Sequence, residues 1–121
     1  LMNAPDKSEL FIVPEDKNKV EFVEDSKIPN AGTFTVYLED HTLGNLMRMQ
    51  LLRDRDVKFA GYKMPHPLEN KIEIKVQTNG EKRPMEAFLR GIDSLNHDIG
   101  ICLKEFDRKL KDHINERAYN L

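Results

Sequence analysis

The 121-residue sequence contains no run approaching the roughly 18 consecutive apolar residues that a membrane-spanning helix requires. Its opening, LMNAPDKSEL, lacks the basic-then-apolar order of a signal peptide, so a soluble protein inside the cell is expected, and Leu1 ahead of Met2 reads as an added residue. Cys102 is the single cysteine. It excludes an internal disulfide and a cysteine-based zinc site, and it fits a reducing compartment. No glycine-rich loop joins a strand to a helix, and Gly44 alone does not make a phosphate cradle. Repeats and low-complexity tracts are absent as well.

Basic charge in excess is also lacking. Nineteen Lys and Arg face twenty-one Asp and Glu, a net charge of −2, so the whole chain is no electrostatic ligand for nucleic acid. The distribution is uneven. Residues 1–40 hold four lysines against nine acids, whereas residues 41–80 hold seven basic side chains against four acids. The basic middle includes Arg48, Arg53, Arg55, Lys58 and Lys63. A solvated surface or a partner contact accounts for it better than a phosphate-facing patch does.

Catalytic groups are sparse. Asp40 and His41 are adjacent, but no Ser, Cys or second acid at helical spacing completes a nucleophile and base pair. His66 stands between two prolines in a turn, and His97 and His113 lack the i, i+4 spacing that lets two imidazoles share a metal. No catalytic, cofactor or metal residue is therefore assigned. A binding module is expected rather than an enzyme.

What is present is a pattern of strands and helices. Residues 1–18, with Pro5, Pro14 and a charged run, predict an extended arm whose apolar part is Leu10, Phe11, Ile12 and Val13. Strands are predicted over 19–23, 33–39, 57–63 and 71–78. The last is clearest: Ile72, Ile74 and Val76 alternate with Lys71, Glu73, Lys75 and Gln77, the period of a sheet with one buried face. Phe34, Val36 and Leu38 repeat the pattern. A first helix follows Thr42 as its N-cap and runs to about Arg53, although Gly44 and Asn45, both poor helix formers, fall in its first turn. A second runs from Pro84, favourable at a first helical position, to about Ala118. The order β β α β β α predicts an α+β domain over 1–121: a four-stranded, mostly antiparallel sheet with two helices on one face.

The second helix is too long for such a domain. Met85, Phe88, Ile92, Leu95, Ile99, Cys102 and Phe106 step by three and four, with Leu89, Leu103 and Leu110 beside them. A helix over 84–118 spans about 50 Å, against a diameter of about 35 Å for a compact chain of this length. A break at Gly100 is the simple alternative, but the apolar register continues across it. The surplus stripe predicts packing against another chain.

Three motifs carry a resemblance: DHTLGNL at 40–46, FAGYKMPHPL at 59–68 and IEIKVQT at 72–78. Together with NAPDKSELF at 3–11 and KIPNA at 27–31, they make the chain similar to the small alpha-like subunits of eukaryotic RNA polymerase II. The resemblance extends to about Leu110 and implies the alpha-like dimerisation fold also found in archaeal subunit L and the bacterial alpha N-terminal domain. It implies a non-catalytic assembly subunit in the nucleus that forms a heterodimer with the larger alpha-like subunit. The pair would scaffold the large catalytic subunits, alongside small assembly subunits, for mRNA synthesis. No membrane contact and no sequence-specific nucleic-acid binding are implied.

In that family the first helix and the long C-terminal helix of each partner form a four-helix interface. Carried onto this sequence, the interface residues are Leu43, Gly44, Leu46, Met47, Gln50, Phe88, Leu89, Ile92, Leu95 and Ile99. At Gly44 the missing side chain would admit another chain's backbone, and Asn45 would bond to a neighbouring backbone group. Two features depart from the family pattern: the loop NGEKRP at 79–84 is unusually charged, and the sequence beyond Phe106 matches no family motif. The alternatives are the counterpart shared by polymerases I and III and, in another class, a free-standing homodimeric regulator whose sheet binds a metabolite. A third, an enzyme using Asp40 and His41, would lose its activity in His41→Ala.

Overall fold

The computed structural model describes residues 18–120; the arm predicted over 1–18 lies outside them except for Asn18. The elements are β1 (Val20–Glu24), β2 (Ala31–Tyr37), α1 (His41–Leu52), β3 (Val57–Lys63), β4 (Lys71–Thr78) and α2 (Pro84–Tyr119). The strands lie in the order β1-β2-β4-β3, and every neighbouring pair is antiparallel. β2 and β3 consequently run parallel on either side of β4, and α1 makes the crossover that such an arrangement requires.

One face of the sheet is apolar because the sequence alternates. Phe34, Val36, Ile72, Ile74 and Val76 point inward and are buried, while Thr33, Thr35, Lys71, Glu73 and Lys75 between them are only partly covered. Met47 and Leu51 of α1 and Ala87 and Phe88 of α2 close the core over that face. Three rings link the layers. Phe22 of β1 stacks on Phe34 with centroids 4.6 Å apart, and Phe34 stacks on Phe88 at 3.9 Å.

β2 departs from the predicted 33–39 at both ends. It begins at Ala31, and it stops at Tyr37 because Leu38 adopts φ 58°, a left-handed turn unusual for a bulky residue that diverts the chain toward α1. α2, by contrast, passes straight through Gly100. It spans 36 residues, or about 54 Å. Its buried residues, Pro84, Ala87, Phe88 and Gly91, are all in the first eight, Ile92 and Leu95 are half-buried, and every residue from 101 to 120 is exposed.

Two loops meet where α2 starts. The Lys82 Nζ, in the charged loop after β4, lies 2.9 Å from Asp54 Oδ2 and 3.4 Å from Asp56 Oδ2 in the loop after α1. Thr78, buried at the end of β4, donates its hydroxyl to the Lys82 carbonyl at 2.6 Å, and Asn79 bonds Asp56 through both its backbone and its side-chain nitrogen. The charge of NGEKRP thus has a local use. Burial is the largest single influence on Asp54 and pushes its carboxyl up. The Lys82 bond, the Asp56 amide and the charges of Lys82 and Arg90 together outweigh it and hold the group below its ordinary value. The bond to Asp54 in turn raises the Lys82 ammonium, against a smaller opposing effect of burial.

The signs fix the pH range in which this junction stabilises the fold. Asp54 has a lowered folded value, so its contribution is complete above the ordinary carboxylate value and is lost as pH falls through the folded one; Lys82, raised, contributes fully below its ordinary value and fails only in strong alkali. Asp54→Asn should lower the urea midpoint at neutral pH, and the difference from the parent chain should shrink as pH drops below about 4.

Candidate partner interface

The two helices share the work of covering the sheet and differ in how much they leave uncovered. α1 is capped by Asp40, whose Oδ1 accepts from the Thr42 amide at 2.9 Å, so Thr42, the predicted cap, lies inside the helix. The aspartate is the better cap here because it holds the extended backbone conformation that precedes a first turn.

Gly44 is buried, and a methyl group there would overlap the Tyr62 ring of β3. The close approach in the first turn is therefore made within this chain, which corrects the expectation of a foreign backbone. Tyr62 is held over Gly44 by a hydrogen bond shared between its hydroxyl and His41 Nδ1, 2.9 Å apart, with the two rings edge to face. Asn45 does not reach a neighbouring backbone either; its Oδ1 accepts from Arg48 Nη2 at 2.7 Å.

The other carried-over interface positions divide by burial. Met47 and Phe88 are 2% and 4% exposed and pack in the chain's own core, so their side chains hold the helices to the sheet and do not face outward. Leu43, Ile92 and Leu95 are half-buried against the edge of that core, and Gln50 is half-buried. Leu46, Leu89 and Ile99 are exposed, Leu89 at 53%. The inward turn follows from helical spacing. Met47 and Leu51, four apart, make one sheet-facing row of α1, and Gly91 of α2 fits against both, 3.4–3.5 Å from where its Cβ would stand.

Farther out along α2 lie further exposed apolar side chains. Leu103 at 65% and Phe106 at 69%, followed by Leu110 and Ile114, continue the three-and-four spacing from Ile99 along the part of α2 that has no sheet beneath it. The spacing was visible through Leu110; its extension to Ile114 went unassigned because the motifs that located the interface end near Phe106, and the exposed Met49 and Leu52 of α1 were not singled out either. The exposed flanks of the outer helix carry i, i+3 and i, i+4 pairs, Arg108 with Glu105 and Asp112 and Lys111 with Asp107.

A cleft of about 590 Å³ separates the end of α1 from the start of α2, lined by charged groups that include Arg53, Asp54, Lys82, Arg90 and Asp98. Those charges largely satisfy one another, as in the Arg53–Asp98 pair at 3.5 Å. Part of the basic middle is likewise matched: Lys63 pairs with Glu73, Lys71 with Glu69 and Lys75 with Asp25. Asp40 is engaged as a helix cap and His41 with Tyr62. Among the described residues, no three His, Cys, Asp or Glu side chains assemble a metal site.

Comparison with known proteins gives consistent matches. The family described as the RNA polymerase Rpb3/Rpb11 dimerisation domain matches residues 31–105, from β2 into the outer half of α2. The chain is 52% identical over 98 residues to DNA-directed RNA polymerase II subunit rpb11 of Dictyostelium discoideum, covering 81% of this chain and 82% of that one. It is 42% identical over 123 residues to the probable DNA-directed RNA polymerase II subunit RPB11 of Caenorhabditis elegans, covering 98% of this chain and all of the other. In fold it is similar to the crystal structure of DNA-directed RNA polymerase subunit L from Thermoplasma acidophilum, with a TM-score of 0.62 at 22% identity over 78% of this chain and 92% of that one.

Within the chain, Gly44→Ala should destabilise the fold by about 1–3 kcal/mol through overlap with the Tyr62 ring. In a Tyr62→Ala background the same substitution should cost almost nothing in urea denaturation, because the space would then be open.

Proposed function

Because the chain belongs to the RNA polymerase Rpb3/Rpb11 dimerisation-domain family, we propose that it is the Rpb11-type subunit of DNA-directed RNA polymerase II, a nuclear, non-catalytic member of the assembly. It pairs with the larger alpha-like subunit, and the pair forms the platform on which the large catalytic subunits assemble. The names of its relatives favour polymerase II over the counterpart shared by polymerases I and III. A homodimeric regulator is less favoured, since the cleft between the helices is lined by charges that pair among themselves.

The observation that carries this reading is the uncovered stripe. Ile99, Leu103, Phe106 and Leu110 extend the apolar face of α2 past the edge of the sheet, where none of the described residues covers them. A contiguous apolar strip of that kind marks an interaction surface. Its inner part, with Leu89 and Leu46 exposed beside it, lies on the two helices that the family match includes. The role is mechanical. Burying the strip releases water from apolar surface, and the flanking charged pairs leave the rim polar, as in other protein interfaces.

Ile99→Asp and Leu103→Asp test this cleanly, since both side chains are exposed in the free chain and neither change disturbs its core. Each should leave the chain's unfolding free energy in urea within about 0.5 kcal/mol of the parent and weaken co-purification with the larger alpha-like subunit by more than tenfold, because a charge would be buried unpaired at the seam. Undiminished pairing in both variants would reject this face as the contact.

A further inference from the structure

The start of α2 carries more than its own local stability. α2 enters the fold with Arg83 at its N-cap and no side-chain cap bond, so its direction is fixed by what surrounds the entry. Only its first eight residues include fully buried side chains, and the exposed stripe begins at Ile99, more than four turns downstream. The helix is thus a lever. A tilt of about 5° at its start carries its far end through about 4–5 Å, close to one row of side chains in a helix interface.

At that entry Lys82 bridges Asp54 and Asp56, and all three side chains are less than one-fifth exposed. The Lys82 carbonyl is held from the other side by the Thr78 hydroxyl, at the end of the central strand β4, which has a neighbour on each side. Asp54 and Asp56 belong to the loop that leaves α1, so the bridge ties the exit of one helix to the entry of the other. Neither acid nor Lys82 lies on the stripe.

We propose that Lys82 is a positioning residue for assembly: its bridge to Asp54 and Asp56 sets the direction of α2 and so aims the distant stripe at the partner without touching it. This rests on the reading of the chain as a dimerisation subunit. Removing the bridge leaves every stripe residue in place and makes the competent direction of α2 only one of several. Apparent affinity then falls by the fraction of time that direction is lost. Arginine, whose planar fork carries five donors, can span both carboxylates and should preserve the aim.

Two measurements on the full chain test this. Association with the larger alpha-like polymerase subunit should weaken about tenfold in Lys82→Met, corresponding to a competent direction occupied a tenth of the time, and stay within about twofold of the parent in Lys82→Arg. Separately, spin labels on Cys102, the single cysteine, and on Glu24→Cys report the direction of α2 in the unpartnered chain. Their distance distribution should shift or broaden by about 2 Å in Lys82→Met, as a 5° tilt gives at that point of the helix, and remain narrow in Lys82→Arg. If Lys82→Met fails to fold, Asp56→Asn, which removes the longer contact, should give an intermediate weakening of association. Unchanged distances and unchanged affinity in the bridge-breaking variant would overturn the proposal. If the parent chain itself does not bind the polymerase subunit, the functional reading falls while the label distances still decide the role of Lys82.

Discussion

An apolar helix face that is longer than the sheet beneath it governs this molecule. The first part of α2 is bound to the sheet by Phe88 and to α1 by the fit of Gly91 against Met47 and Leu51, and its apolar stripe then continues through Leu103, Phe106 and Leu110 into solvent. An exposed helical segment of this length has little stability of its own in water, and an apolar strip along it is costly to leave wet. Folding and association are therefore linked in one element: the inner turns hold the domain together, and the outer turns belong to whatever covers them.

The rest of the fold serves to present that helix. Alternation along β2 and β4 makes a single apolar face, the Phe22–Phe34–Phe88 stack attaches α2 to it, and the Lys82 bridge ties the entry of α2 to the exit of α1. α1 is fastened at its other end by Tyr62 lying over Gly44. Both helices are thereby fixed at their ends nearest the sheet, which leaves their outward rows free for another chain.

Much of this was legible in the sequence. Period two over 71–78, period three and four from Met85 to Leu110, and turn residues between them were enough for the order of elements and for a helix outgrowing its domain. What escaped was tertiary. Leu38 ends β2 through a backbone angle that its residue type does not announce, and the cap moved to Asp40 because the chain turns two residues earlier than Thr42 suggests. Gly44 has its reason in Tyr62, eighteen positions later, and Lys82 in Asp54, twenty-eight positions earlier. The resemblance located the two helices of the interface but not which row of each faces the sheet, and so Met47 and Phe88 were counted among the interface residues when they form the core.

Amide hydrogen exchange across α2 is the most direct test of the claim that its outer half waits for a partner. In the free chain, amides from 101 to 118 should exchange far faster than those of 88–95, which lie over the core; with the larger alpha-like subunit bound, the outer amides should become protected to a comparable degree. Strong protection already present in the free chain, or none gained in the complex, would contradict the account.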